Sequence, residues 1–192
     1  MIVQSEIKDK REAILRSTLE LIKEKGFHGT SISQIAKKAG VASGTIYHYF
    51  TNKDAVIIEL HNSIRKEMLA AMFNNTHGEK DYKSQFFEGW KGLCNYFIDN
   101  AACLIFIEQY NSSPYSKMNQ KNQWNIPVNK FSEFFQYGMD NGFLKKIEYN
   151  LVASVVFGGI TATAKYHTTG RYNYNDEDLC KIATIIWNGI KN

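Results

Sequence analysis

Proline is nearly absent from this 192-residue chain: Pro114 and Pro127 both lie past the middle, so no proline breaks a helix in the first hundred residues. Cysteine is scarce too. Cys94, Cys103 and Cys180 are an odd number without CxxC or Cys/His spacing, which excludes a disulfide framework and a zinc site and reads as small buried apolar groups in a reducing compartment. Long apolar runs are missing as well. The longest, residues 151–160, falls short of the roughly 20 residues a membrane span needs, and the N-terminus carries Glu6 and Asp9 but no apolar signal core. A soluble, cytoplasmic protein is expected. No nucleophile–base set, phosphate loop or metal motif occurs, and His28, His48, His61, His77 and His167 are scattered, so neither an enzyme nor a metal or cofactor is expected.

What the chain does have is apolar mass, 44% of residues with 14% aromatic, enough for a well-buried core. Its net charge of +4 is mild, but residues 1–55 hold nine Lys/Arg against six Asp/Glu. That excess suits phosphate contacts and equally an ordinary solvated face.

The most informative run is Ser31 to Phe50, SISQIAKKAGVASGTIYHYF. Ser31 with Gln34 has the capping-box pattern, Ile32, Ile35, Ala36 and Ala39 make one apolar face, and Gly40 stands where a left-handed cap ends the helix. A second short helix, about Ser43 to Phe50, turns Ile46 and Phe50 inward and Gly44 and His48 outward, with Thr45 and Tyr47 on the flanks. Such a face suits a DNA groove; the plainer reading is a structural helical hairpin.

Before it, Lys8 to Lys25 reads as a helix ended by Gly26, and Ile14, Ile22, Phe27, Ile35, Ile46 and Phe50 are the expected core of three helices. After it, helices are expected over Ala55–Phe73, Asp81–Asn100, Ala101–Tyr110, Trp124–Met139 and Leu151–His167, then one capped by Asn175. Tyr115–Gln123 reads as a polar loop or irregular helix. The rings of Asp81–Asn100 nearly circle that helix, which predicts central burial, and Leu179, Ile182, Ala183, Ile186 and Ile190 form a stripe on the last one.

Gly26-Phe27, Thr30 to Ala36, Ala39-Gly40-Val41, Gly44 to Phe50 and Lys53 together closely resemble the tetracycline-repressor (TetR) family, over roughly residues 8–68. The resemblance implies an all-α fold, with a DNA-binding domain of three helices over residues 1–54 and a helical effector-binding and dimerisation domain over residues 55–192. It implies that Ser31 and Ser33 approach phosphates, Ser43 and Gly44 face base edges, and Thr45, Tyr47 and Tyr49 contact phosphate or base. Lys53 matches a phosphate-binding lysine, and His48 points outward beside them. One departure stands out: Ala42 occupies a position that is often a capping serine in the family, so the third helix lacks that cap unless Ser43 takes over.

The same resemblance implies a homodimer through the two C-terminal helices, and the small residues of 151–167 with the stripe ending at Ile190 agree with it. The expected partners are a palindromic double-stranded operator and a small, mainly apolar effector. Phe86, Trp90, Phe97, Phe106, Tyr110, Trp124 and Phe131 are candidate pocket residues. The reading is a repressor that the effector releases from DNA; the alternatives are a regulator without a small-molecule ligand and a helical protein-interaction module.

Overall fold

The proline-poor chain folds into helices almost end to end. In the computed structural model, which describes residues 2–73, 81–121 and 129–192, these are α1 (Ile2–Lys25), α2 (Ile32–Ala39), α3 (Ser43–Tyr49), α4 (Lys53–Phe73), α5 (Tyr82–Asp99), α6 (Ala101–Asn111), α7 (Pro114–Lys121), α8 (Asn129–Asp140), α9 (Tyr149–Thr168) and α10 (Asp176–Ile190). The fold class is all-α, as expected. Among the described residues the extended structure is a single isolated bridge between Leu144 and Lys191.

Two compact units divide the contacts, the first Met1–Ile64 with Ile105–Trp124, the second Arg65–Leu104 with Asn125–Asn192. This partition runs through α4 and brings α6–α7 to the N-terminal unit.

In the first unit Ile14, Ile22, Ile35 and Ile46 are fully buried, with Phe27 and Phe50 close to it, so all six expected core positions are inside. Gly26 adopts a φ of 68° and its N–H donates to the Ile22 carbonyl, which ends α1 where the sequence places its stop. Two differences are local. The first helix begins at Ile2 rather than Lys8, since nothing in residues 2–7 interrupts it. Residues 114–121 are a regular helix where a loop or irregular helix is expected, opened by Pro114, whose fixed φ and missing N–H suit a first turn.

In the second unit α5 packs on α9 and α10, and α8 on α9. Phe86, Trp90 and Phe97 are buried, whereas Phe87 and Tyr96 stay half-exposed, so α5 buries one broad side rather than its whole circumference. The helix expected from Trp124 is described from Asn129 onward; Trp124 and Val128 lie outside the described residues. On α10 the capping box of Asn175 and Asp178 is formed. Along its stripe Leu179, Ala183, Ile186 and Ile190 are buried and Ile182 is half-buried. Of the cysteines, Cys94 and Cys103 are buried as expected; Cys180 is exposed.

The α4–α5 crossing depends on a missing methyl. A Cβ at Gly92 would lie 2.3 Å from the carbonyl oxygen of Ala71, a backbone atom that no rotamer change can move. An alanine normally gains roughly 0.5–1 kcal/mol over glycine inside a helix, while overpacking costs about 1–3 kcal/mol, so the clash wins. Gly92→Ala is therefore expected to lower stability by about 1–2 kcal/mol in a denaturant titration. A rise in the midpoint would show that the crossing relaxes freely.

Candidate DNA-binding site

The hairpin Ser31–Phe50 is built from short-range rules. Ser31 is the N-cap of α2: its Oγ accepts from the Gln34 N–H at 3.3 Å, and its own N–H donates to Gln34 Oε1 at 2.9 Å. Gly40, at a φ of 68°, ends the helix in the left-handed region, and the Val41 N–H returns to the Ala36 carbonyl at 3.0 Å. The chain then enters α3 without a side-chain cap at Ala42; the first turn is closed only by the Thr45 N–H to the Ala42 carbonyl at 2.9 Å. Ser43 is the first residue of α3, exposed, and has not taken over the cap.

Burial divides α3 as helical geometry requires. Ile46 is fully buried, Thr45 and Tyr49 are half-buried, and Ser43, Gly44, Tyr47 and His48 face outward. Tyr47 is 57% exposed, so its ring is available to a partner. His48 meets the edge of Tyr49 at 5.3 Å between ring centroids. On α2, Ser33 is exposed and its hydroxyl lies 3.0 Å from that of Ser31.

The cations near the hairpin differ in availability. Lys38 is engaged with Glu24 at 2.8 Å, and this bond holds the Glu24 carboxyl below the usual carboxylate range. Arg11 pairs with Glu59 and lies over the Phe50 ring. Lys37 is exposed and in no ion pair among the described residues. Lys53 opens α4, and its ammonium donates to the carbonyls of Phe27 at 3.0 Å and Thr30 at 3.1 Å. Ser31, Ser33 and Lys53 thus gather around the start of α2, and Ser43, Gly44, Thr45, Tyr47, His48 and Tyr49 all lie on α3. The internal anchoring of Lys53 was hidden in the sequence, because carbonyl acceptors carry no residue signature.

The candidate pocket residues fall into both units. Phe106 and Tyr110 belong to the first, where Phe106 meets Phe27 and Tyr110 stacks on His61 at 3.8 Å between centroids. Phe86, Trp90, Phe97 and Phe131 are buried in the second, and Trp124 lies outside the described residues. The Trp90 Nε1–H is fully buried and has no acceptor among the described residues.

Comparison with known proteins agrees with this geometry. Residues 14–60 match the model of the bacterial regulatory proteins of the tetR family, and residues 81–191 match that of a tetracyclin repressor-like C-terminal domain. An HTH-type transcriptional regulator of Haemophilus influenzae is 31% identical over 114 residues, 59% of this chain and 61% of its own length. The fatty acid metabolism regulator protein of Bacillus subtilis is 28% identical over 183 residues, 90% of this chain and 89% of its own. A TetR family transcription regulator from Marinobacter aquaeolei shares the fold with a TM-score of 0.89 at 19% identity, covering 98% of this chain and 99% of that one. The transcriptional regulator FadR from Bacillus subtilis, solved in complex with stearoyl-CoA, does so with a TM-score of 0.69 at 22% identity, over 92% of this chain and 95% of that one.

Proposed function

The chain belongs to the tetR family of bacterial regulatory proteins and is a DNA-binding transcriptional regulator; from that premise we propose that it is a homodimeric repressor whose operator affinity falls when a mainly apolar effector binds. The observation that carries the DNA-reading part is the division of α3, with Ile46 buried and Ser43, Gly44, Tyr47 and His48 outward. Residues 1–54 hold this reader and residues 55–192 the effector and dimer functions. Ser31 and Ser33 contact phosphate beside the α2 amide end, with Thr45, Tyr47 and Tyr49 on phosphate or base. Lys53 keeps one N–H beyond the two on carbonyls, and that donor serves a phosphate. Ser43, Gly44 and His48 offer few base contacts, so groove shape contributes to specificity. The protein works in the cytoplasm, where bacterial DNA lies.

The dimer forms through α9 and α10. Leu151, Val155 and Ile185 are exposed large apolar residues, and they line an apolar groove of about 300 Å³ whose floor includes Ile186 and Ile190 of the α10 stripe. Positions Gly158 and Gly189 have open space where a side chain would stand, so a second helix can approach closely. A two-fold axis there pairs two α3 helices with a palindromic operator.

The effector site lies among Phe86, Trp90, Phe97 and Phe131. The likeness to a fatty acid metabolism regulator over 90% of this chain supports an acyl effector. Stearoyl-CoA is the first probe and free coenzyme A its control. Titrated against the protein on an operator fragment, stearoyl-CoA is expected to weaken binding at least about tenfold, since coupling free energies commonly reach 1–3 kcal/mol. Unchanged affinity would favour the alternative, a regulator without such a ligand.

A further inference from the structure

Outside the hairpin, the densest set of specific contacts in the first unit joins α6–α7 to the N-terminal helices. The Tyr115 hydroxyl donates to Asp54 Oδ1 at 2.8 Å, in the first turn of α4 and next to Lys53. The Tyr115 ring meets Phe27 at 5.2 Å between centroids, and Phe106 closes on the same ring at 5.7 Å, edge to face. Phe27 is also held by its backbone, since its carbonyl accepts from Lys53. Tyr115 is pinned in turn: its carbonyl accepts from the Tyr110 hydroxyl at 3.3 Å, and Tyr110 stacks on His61 of α4. The contacts make a closed circuit from α4 through α6 and α7 back to α4, with the α1–α2 turn clasped inside it.

We propose that Tyr115 is a positioning residue for operator binding: through Asp54 and Phe27 it fixes the α1–α2 turn against the start of α4, and with them the supporting helix α2 and the reading helix α3. The proposal rests on the operator-binding reading of α3. Three features support it. Asp54 and Lys53 are consecutive, so one turn of α4 receives the strap from α7 and grips the carbonyls of Phe27 and Thr30, immediately before the Ser31 cap. Burial and the neighbouring Asp54 carboxylate push the Tyr115 phenol up to about 12, so the hydroxyl keeps its proton and remains the donor. Residues 105–121 also cluster with the N-terminal helices rather than with α5, α9 and α10. The circuit therefore acts on the geometry of the reader without touching DNA.

The test is a mutant cycle on the full chain, with a duplex enriched by the wild-type protein from a random pool. Tyr115→Phe keeps the ring against Phe27 and removes only the donor, Asp54→Ala removes the acceptor, and Asp54→Asn retains an accepting oxygen. Tyr115→Phe and Asp54→Ala are each expected to weaken operator binding about five- to tenfold, the value of one ordinary net hydrogen bond, and the double variant no further than the stronger single. Asp54→Asn should recover most of the affinity. The slope of log affinity against log salt should stay at the wild-type value in all of them, because no phosphate contact is lost. Wild-type affinity in Tyr115→Phe, measured well below its melting temperature, would overturn the proposal and leave the contact a purely structural one. Independent, multiplying losses in the double variant would overturn it too. Failure of the wild-type protein to enrich any DNA would instead sink the operator reading on which it stands.

Discussion

Val155→Glu combined with Ile185→Glu is expected to leave a folded monomer whose operator affinity is lower by two orders of magnitude or more. Val155 is 54% exposed and Ile185 71% exposed, so neither change opens a cavity or buries a charge within one chain. At a two-fold interface each carboxylate meets apolar surface and every contact occurs twice, so one substitution is felt twice. The loss on DNA follows from valency. Two linked readers gain about 10²–10⁴ over one through effective concentration, and a monomer forfeits that gain. Sedimentation gives the subunit number, circular dichroism confirms retained helix, and titration on the operator gives the affinity. A variant that remains dimeric would place the subunit contact on another face. A monomer that binds like wild type would show that pairing of the two readers contributes nothing.

Tyr47→Ala is expected to weaken operator binding about 10- to 100-fold, the range of 1–3 kcal/mol per good contact at a nucleic-acid interface. The side chain is 57% exposed on α3 and packs on no ring among the described residues, so its removal should change the melting temperature little. Tyr47→Phe separates the two halves of the contribution: recovery of affinity assigns it to the ring, continued loss to the hydroxyl. Because Tyr47 is neutral, the salt dependence of binding should be preserved. Equal affinity of wild type and Tyr47→Ala would remove Tyr47 from the interface.

The hairpin was legible because its determinants are local. Ser31 with Gln34, Gly26 and Gly40, and Asn175 each fix a helix end within a few residues, and the structure forms every one of those caps. In the six-residue core Ile14, Ile22, Ile35 and Ile46 followed from helical periodicity and Phe27 from the Gly26 cap. What periodicity cannot supply is the identity of the element that covers a face. The α10 stripe was readable as apolar, yet whether it met its own chain or a second one depended on where α5 and α9 run. Tyr115 sits in a polar stretch that resembles a loop; Pro114, a ring contact with Phe27 and a bond to Asp54, 61 residues away, give it its place. Lys53 was recognised as important, but the carbonyls that hold it belong to residues 23 and 26 positions earlier.

Whether two copies of α3 read one stretch of duplex DNA is tested most directly by selection of DNA from a random pool by the protein. The account expects enrichment of an inverted repeat, its half-sites separated by about one helical turn or more, with binding that weakens steeply as salt is raised. Enrichment of a single half-site without a symmetry mate, or of no sequence at all, would contradict it.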